Sequence, residues 1–223
     1  YDIDGSLNEQ KLETIGEQAG YPNKFDPNNI GDKDVIYIGA TTSRDVPKIM
    51  AIASQGSSLY IYEISPEMIQ GKKGTICSGY WELTPETGLV EGKLPVATSA
   101  YFDRMFYYAV GNKIYRADLT RSTPRSYEIY AHPDPSVRIT RLKFRSQRED
   151  RWDISGGDEV EAIPYDFVSY LGGVAEYPDG NCSMLEMKLT AAGEIDKEEG
   201  TKDLMVYEFK GFKNVVDFVY AFK

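Results

Sequence analysis

The chain has 223 residues, enough for one large all-β domain or two small ones, and its 41% hydrophobic content allows a sizeable core. The net charge of −10 argues against a nucleic-acid partner, because such binding rests on cations that neutralise phosphates. No run of about 18 apolar residues occurs, so no helical transmembrane segment is expected.

Aromatic residues make up 13% of the chain, with 17 tyrosines, and this favours strands, because Tyr fits a pleated, half-buried surface. Two cysteines, Cys77 and Cys182, are too few for a disulfide framework or a thiolate metal site. They either pair with each other or stay free. The chain opens at Tyr1, which reads as a processed or trimmed start, with any signal peptide or lipid anchor upstream of it.

Residues 1–34 are polar and turn-rich, and although Leu12, Ile15 and Ala19 have helical spacing, an irregular segment is expected. DIDG at 2–5 and DPNNIGDKD at 26–34 share Asp and Gly with calcium loops. Neither completes the alternating oxygen pattern, so turns are the expectation. VIYIGA (35–40), KIMAIAS (48–54), LYIYEIS (59–65) and TICSGYWEL (75–83) then form a first run of candidate strands.

A second run is LPVATSAYF, RMFYYAV, KIYRADL and SYEIY, ending at residue 130. Within it, Met105–Val110 is apolar on both alternating faces, the pattern of a strand covered on two sides. Gly111-Asn112 supplies a two-residue hairpin connection. A third run follows as ITRLKF, YLGGVAEY, SMLEMKL and LMVYEF, ending at residue 209. Repetition of four-stranded units predicts an all-β chain built as a β-propeller-like array over 1–223, with a β-sandwich as the alternative. Residues 146–166 read as an inserted loop. The terminal VVDFVYAFK (215–223) reads as the first strand of a further blade, closed into a ring by the N-terminal segment.

His132, the one histidine, lies in AHPDPS and is expected in a rigid surface turn. Any histidine-based triad would have to use it. The acidic group from Glu149 to Glu161 could hold paired carboxylates for glycoside hydrolysis or simply be a solvated loop. Segment 113–151 carries ten Lys or Arg against five Asp or Glu. Within it Arg141, Lys143 and Arg145 alternate, so they project from one strand face. They form either a cationic strip for an anionic ligand, such as an acidic sugar, or ion pairs with an acidic neighbour, since buried charges need partners. Trp152 and Tyr165 in the insertion, with Trp81 in an outer strand, complete the candidate ligand-binding residues, as aromatic rings that could stack on a sugar.

The arrangement MFYYAVGNKIYRADL, SYEIYAHPDPSVRITRLKF and GFKNVVDFVYAFK resembles the C-terminal propeller-like region of the PKD-like family lipoproteins of Bacteroidetes, over roughly residues 35–223. That resemblance implies an exported protein of the cell envelope, lipid-anchored at the outer-membrane surface. It implies a polysaccharide or glycoprotein ligand and outer-membrane uptake proteins as partners. It brings no catalytic motif, so no catalytic residue is carried over and no cofactor or metal is expected. The function expected is non-enzymatic glycan capture. The alternatives are a protein-interaction scaffold and a propeller-type polysaccharide hydrolase or lyase.

Overall fold

The computed structural model describes residues 34–42, 47–56, 58–69, 72–83, 96–98, 105–119, 124–149, 152–153, 161–162 and 166–220. The irregular segment expected over 1–33 and the calcium-like stretch at 2–5 lie outside them. The stretch at 26–34 does too, except Asp34, which opens a strand. Every regular element among the described residues is a strand, and three four-stranded antiparallel sheets form, none closed on itself. All-β is therefore the class. Where the repeat suggests one array over 1–223, the chain divides into two compact units.

The first unit holds β1 (Asp34–Thr42), β2 (Pro47–Gln55), β3 (Ser58–Ile69) and β4 (Lys72–Leu83), paired in sequence order. The turn after β2 uses Gly56 at φ 58°, a backbone region that Gly enters without steric cost. Ile52, Leu59 and Ile61 are fully buried, and Tyr62 and Trp81 nearly so. β3 is buried on both faces, since Leu59 and Ile61 alternate with Tyr62. Cys77 lies on β4, opposite Ile64.

The second unit holds the other two sheets. One is β5 (Val96–Thr98), β6 (Met105–Val110), β7 (Lys113–Asp118) and β8 (Ser126–Ala131), again in sequence order. The β6–β7 turn has Gly111 at φ 59°, as a tight connection with Gly at its first central position requires. The next sheet contains β9 (Arg138–Glu149), β12 (Asp166–Glu176), β13 (Asn181–Leu189) and β14 (Val206–Lys213), paired in that order. A two-stranded ribbon, β10 (Trp152–Asp153) with β11 (Glu161–Ala162), lies between β9 and β12 in the chain. At the two ends of the expected insertion at 146–166, β9 runs on to Glu149, opposite Asp166, and this pairing with β12 satisfies its backbone.

The two sheets of this unit pack face to face. Tyr107, Ala109 and Ile114 from one meet Leu142, Leu171, Leu185 and Met187 from the other. The Tyr107 ring stacks on Phe144 at 6.0 Å. β6 is buried on its second face as well, where Tyr108 stacks on Phe106 at 5.8 Å and on Tyr115 at 5.3 Å. The Tyr108 hydroxyl donates to Ser126 Oγ at 2.8 Å, so the buried phenol keeps a polar partner. At about 25 cal/mol per Å² of apolar surface, complete burial of Phe106, Tyr107 and Tyr108 stabilises the unit.

One expected strand is not formed. Residues 215–220 join no ladder among the described residues, so the terminal segment is not the paired first strand of another sheet. The N-terminal segment expected to close the ring with it lies outside the described residues, and side chains of β9 hold the segment.

Candidate functional site

Strand β9 directs Phe144 and Leu142 into the core, so the two-residue period sends Arg141, Lys143 and Arg145 to the opposite face. There the 215–220 segment meets them. Arg141 Nε donates to the Val216 carbonyl at 2.7 Å. Lys143 Nζ donates to Asp217 Oδ2 at 2.9 Å and lies 5.5 Å from the centre of the Phe218 ring. Arg145 is held between Tyr170 at 4.6 Å and Tyr220 at 4.8 Å, with Glu186 at 3.7 Å. The hydrogen bond from Lys143 keeps the Asp217 carboxyl below its usual range, helped by the Phe218 backbone N–H and the nearby Arg141 charge. Burial pushes the Tyr220 phenol up. The three cations that the alternation singled out are thus brought together, each with a partner from the chain's own end.

The arm between β13 and β14 shapes a second place. Thr190 to Glu194 form a tight turn through Gly193 at φ 75°, closed by Thr190 N–H donating to the Glu194 carbonyl at 2.8 Å. Asp196 and Met205 then pair, with the Met205 N–H on the Asp196 carbonyl at 2.8 Å. Gly193 anchors the arm, because its carbonyl accepts the Tyr107 hydroxyl at 3.0 Å, and a Cβ there would sit 2.7 Å from that oxygen. The arm stands over β7 and β8 and encloses a cleft of about 500 Å³. Arg116, Arg125 and Lys197 line it alongside Asp118, Glu128 and Glu194, with Ile129, Ile195 and Leu204 as apolar parts.

Arg116 organises this cleft. It donates to the Ala192 carbonyl, lies 3.7 Å from Glu194, and sits 5.9 Å from the Tyr127 ring centre. Its Nε is buried without a hydrogen-bond partner. Tyr127 itself lines the cleft and is 46% exposed. Glu128 is tied to Lys113 at 2.6 Å. The charges alternate in sign, so the cleft offers donors and acceptors side by side and no strong net field.

His132 is buried, which corrects its expected surface position. It does lie in the turn between β8 and β9, but that turn folds under the β6–β7 connection. The His132 N–H donates to the Asn112 carbonyl at 2.8 Å, and Asn112 Nδ2 donates to the His132 carbonyl at 2.9 Å. The imidazole Nδ1 accepts the Asp134 N–H at 3.1 Å, while Nε2 lies 3.7 Å from Glu208. Tyr130 and Tyr177 contact the ring edge-on. Burial raises the Glu208 carboxyl, but the hydroxyls of Ser183 and Tyr177, with the charge of Lys210, outweigh that and hold it below its usual value. Burial, with Glu208 and Tyr177 nearby, pushes Tyr130 up to about 12. Among the described residues no serine hydroxyl donates to this histidine, and the group ties β8, β12 and β14 together.

The remaining sequence candidates fall elsewhere. Trp81 lies in the first unit with its side chain buried opposite Ile61. The Trp152 backbone pairs with Ala162, while its side chain, and Tyr165 altogether, lie outside the described residues. Of the acidic group, only the backbones of Glu149, Asp153 and Glu161 are described. Cys182 is a free, buried thiol. Among the described residues no cluster of three His, Cys, Asp or Glu is placed to hold a metal, and no helix is long and apolar enough to cross a membrane. Sequence reasoning missed the cleft because Arg116, Tyr127 and Lys197 come from three separate elements. The one local signal was Arg116 itself, a cation in the half-buried strand KIYRADL. Comparison with known proteins finds no match, whether among family models, curated proteins or solved structures.

Proposed function

We propose that this is a non-enzymatic binding protein that captures a glycan in the cleft between the β7–β8 edge and the 190–205 arm. The observation that carries the reading is the lining: Arg116, Arg125 and Lys197 interleaved with Asp118, Glu128 and Glu194 around the exposed Tyr127. A sugar ring presents hydroxyls that both donate and accept, with an apolar C–H face between them. Charged groups of both signs meet the hydroxyls, and Tyr127 meets the apolar face. The volume falls within the range of roughly 300–1,000 Å³ that ligand sites occupy.

The architecture belongs to the same proposal. The connection from β8 to β9 is hydrogen-bonded to the β6–β7 turn, with the Ile139 N–H on the Gly111 carbonyl at 2.8 Å. β9 also lies beside β5 and β6. Consecutive blades of a propeller meet in this way, and this supports the propeller over a sandwich. The resemblance to envelope lipoproteins supports an exported, outer-membrane location with uptake proteins as partners, which fractionation of the source cells tests directly.

Glycan-array binding tests the cleft. Tyr127→Ala and Arg125→Ala should each weaken binding of any captured glycan about tenfold, the effect of one lost aromatic contact or charged hydrogen bond. Binding unchanged in both variants removes the cleft from the site. Trp152→Ala in the same assay reports on the 146–166 arm. Turnover of a bound polysaccharide would replace capture with the hydrolase or lyase reading. The scaffold reading is favoured by one feature, the exposed Tyr207, Phe209 and Phe212 on edge strand β14, and a pull-down from envelope extract examines it.

A further inference from the structure

The face of the second sheet that carries Arg141, Lys143 and Arg145 is shaped for an extended strand. Gly172 on β12 makes the hollow: a Cβ there would lie 2.8 Å from the Phe218 ring and closer still to the Tyr220 hydroxyl. Cations stand at alternate positions of β9, and the segment answers in the same period. Asp217 meets Lys143, Phe218 lies under Lys143, and Tyr220 lies under Arg145. Recognition is therefore by charge, ring face and a missing side chain, with no backbone ladder.

The segment that fills this groove follows β14 directly through Asn214, a left-handed residue at φ 50°. Residues 211–214 are exposed. The segment also carries the two most exposed large apolar side chains among the described residues, Val216 at 77% and Val219 at 80%. Exposed Tyr207 and Phe209 lie on the same sheet. A groove of this kind accepts any strand with an acidic residue followed by alternate aromatics, and each copy of the chain carries one such strand on a hinge.

We propose that this face is an acceptor groove through which two copies of the chain exchange their 215–220 segments. Exchange keeps every contact described above, because each groove still holds an Asp217-Phe218-x-Tyr220 strand. It costs only association, and swapping of an identical element is a low-cost route to dimers. The exposed valines and the β14 aromatics supply apolar surface that a closed single copy leaves in water and a paired copy can cover. The inference is independent of the glycan cleft, which lies on the arm between β13 and β14.

Complementary full-length variants test the exchange. Lys143→Glu disables the groove for its own segment, and Asp217→Lys disables the segment for its own groove. Mixed in equal amounts, the two restore opposite charges in trans at both grooves. Light scattering after size exclusion should show each variant alone as a monomer and the mixture as a 1:1 dimer. A second pair, Gly172→Val with Phe218→Ala/Tyr220→Ala, should behave likewise, with circular dichroism confirming folded chains. Mixtures that stay monomeric in both pairs overturn the exchange. A synthetic peptide of residues 214–223 serves as a probe on Phe218→Ala/Tyr220→Ala. If the peptide binds while no mixed dimer forms, exchange between copies is overturned and the groove's partner is a strand of another protein. If the peptide fails to bind as well, the groove itself is overturned.

Discussion

The second strands of the two sheets in the second unit make an instructive pair. β6 reads MFYYAV and β12 reads DFVSYLGGVAE, and both sit second in a four-stranded meander. β6 buries Phe106, Tyr107 and Tyr108 completely, so both of its faces are closed by rings from its own unit. β12 buries Leu171 toward the core, but on the other face Gly172 leaves a hollow that only the terminal segment fills. The same place in a repeat can thus be a permanent core or an open seat. Side-chain volume sets the difference, since each strand pairs with a neighbour on either side.

Substitutions that probe this contrast rank by burial. Phe106→Ala removes a ring with no solvent exposure and should cost about 3–5 kcal/mol in denaturant unfolding. A cost near zero would mean that β6 is no more closed than β12. Gly172→Val fills the hollow and should destabilise by about 1–3 kcal/mol, the usual range for overpacking. Much of that relief comes from release of the 215–220 segment, so amide exchange at 215–220 should accelerate while β13 stays protected. Protection lost equally in both would show that the segment is part of the sheet's core and erase the contrast.

Acid should reveal the seat before the core. The folded-state pKa of Asp217 is depressed, first by the hydrogen bond from Lys143. Its contribution is fully present above the ordinary aspartate value and is lost as pH falls through the lowered folded value. The pair is exposed and screened, so the effect on global stability should stay within about 1 kcal/mol. Tyr220 fluorescence or amide exchange of the segment should change in that acid range. Asp217→Asn should abolish the pH dependence, and a transition that survives this change would point to another depressed carboxyl of the unit, Asp134, Asp196 or Glu208.

Much of the fold was legible in the chain because strand periodicity is a local property. The aromatic run at 105–110, the Gly111-Asn112 turn and the order of the four-stranded meanders all follow from apolar alternation punctuated by Gly. The same alternation placed Arg141, Lys143 and Arg145 on one face. His132 misled because the two prolines that follow it, Pro133 and Pro135, signal a turn but not its burial, and burial depended on Asn112, twenty residues away. The terminal segment misled for a related reason. VVDFVY has strand composition, yet composition does not set which neighbour a segment meets, and residues 215–220 lie against side chains of β9.

The sequence by itself determined the secondary structure class, the repeat and the facing of alternate side chains, because these depend on contacts a few residues apart. Only the tertiary structure decided the cleft around Arg116 and Tyr127, which the 190–205 arm completes through Gly193 on the distant Tyr107 hydroxyl. It alone also decided what the cations of β9 meet. That pairing rests on the absence of a side chain at Gly172 and on a segment more than seventy residues further along, a coincidence in space that no local pattern encodes.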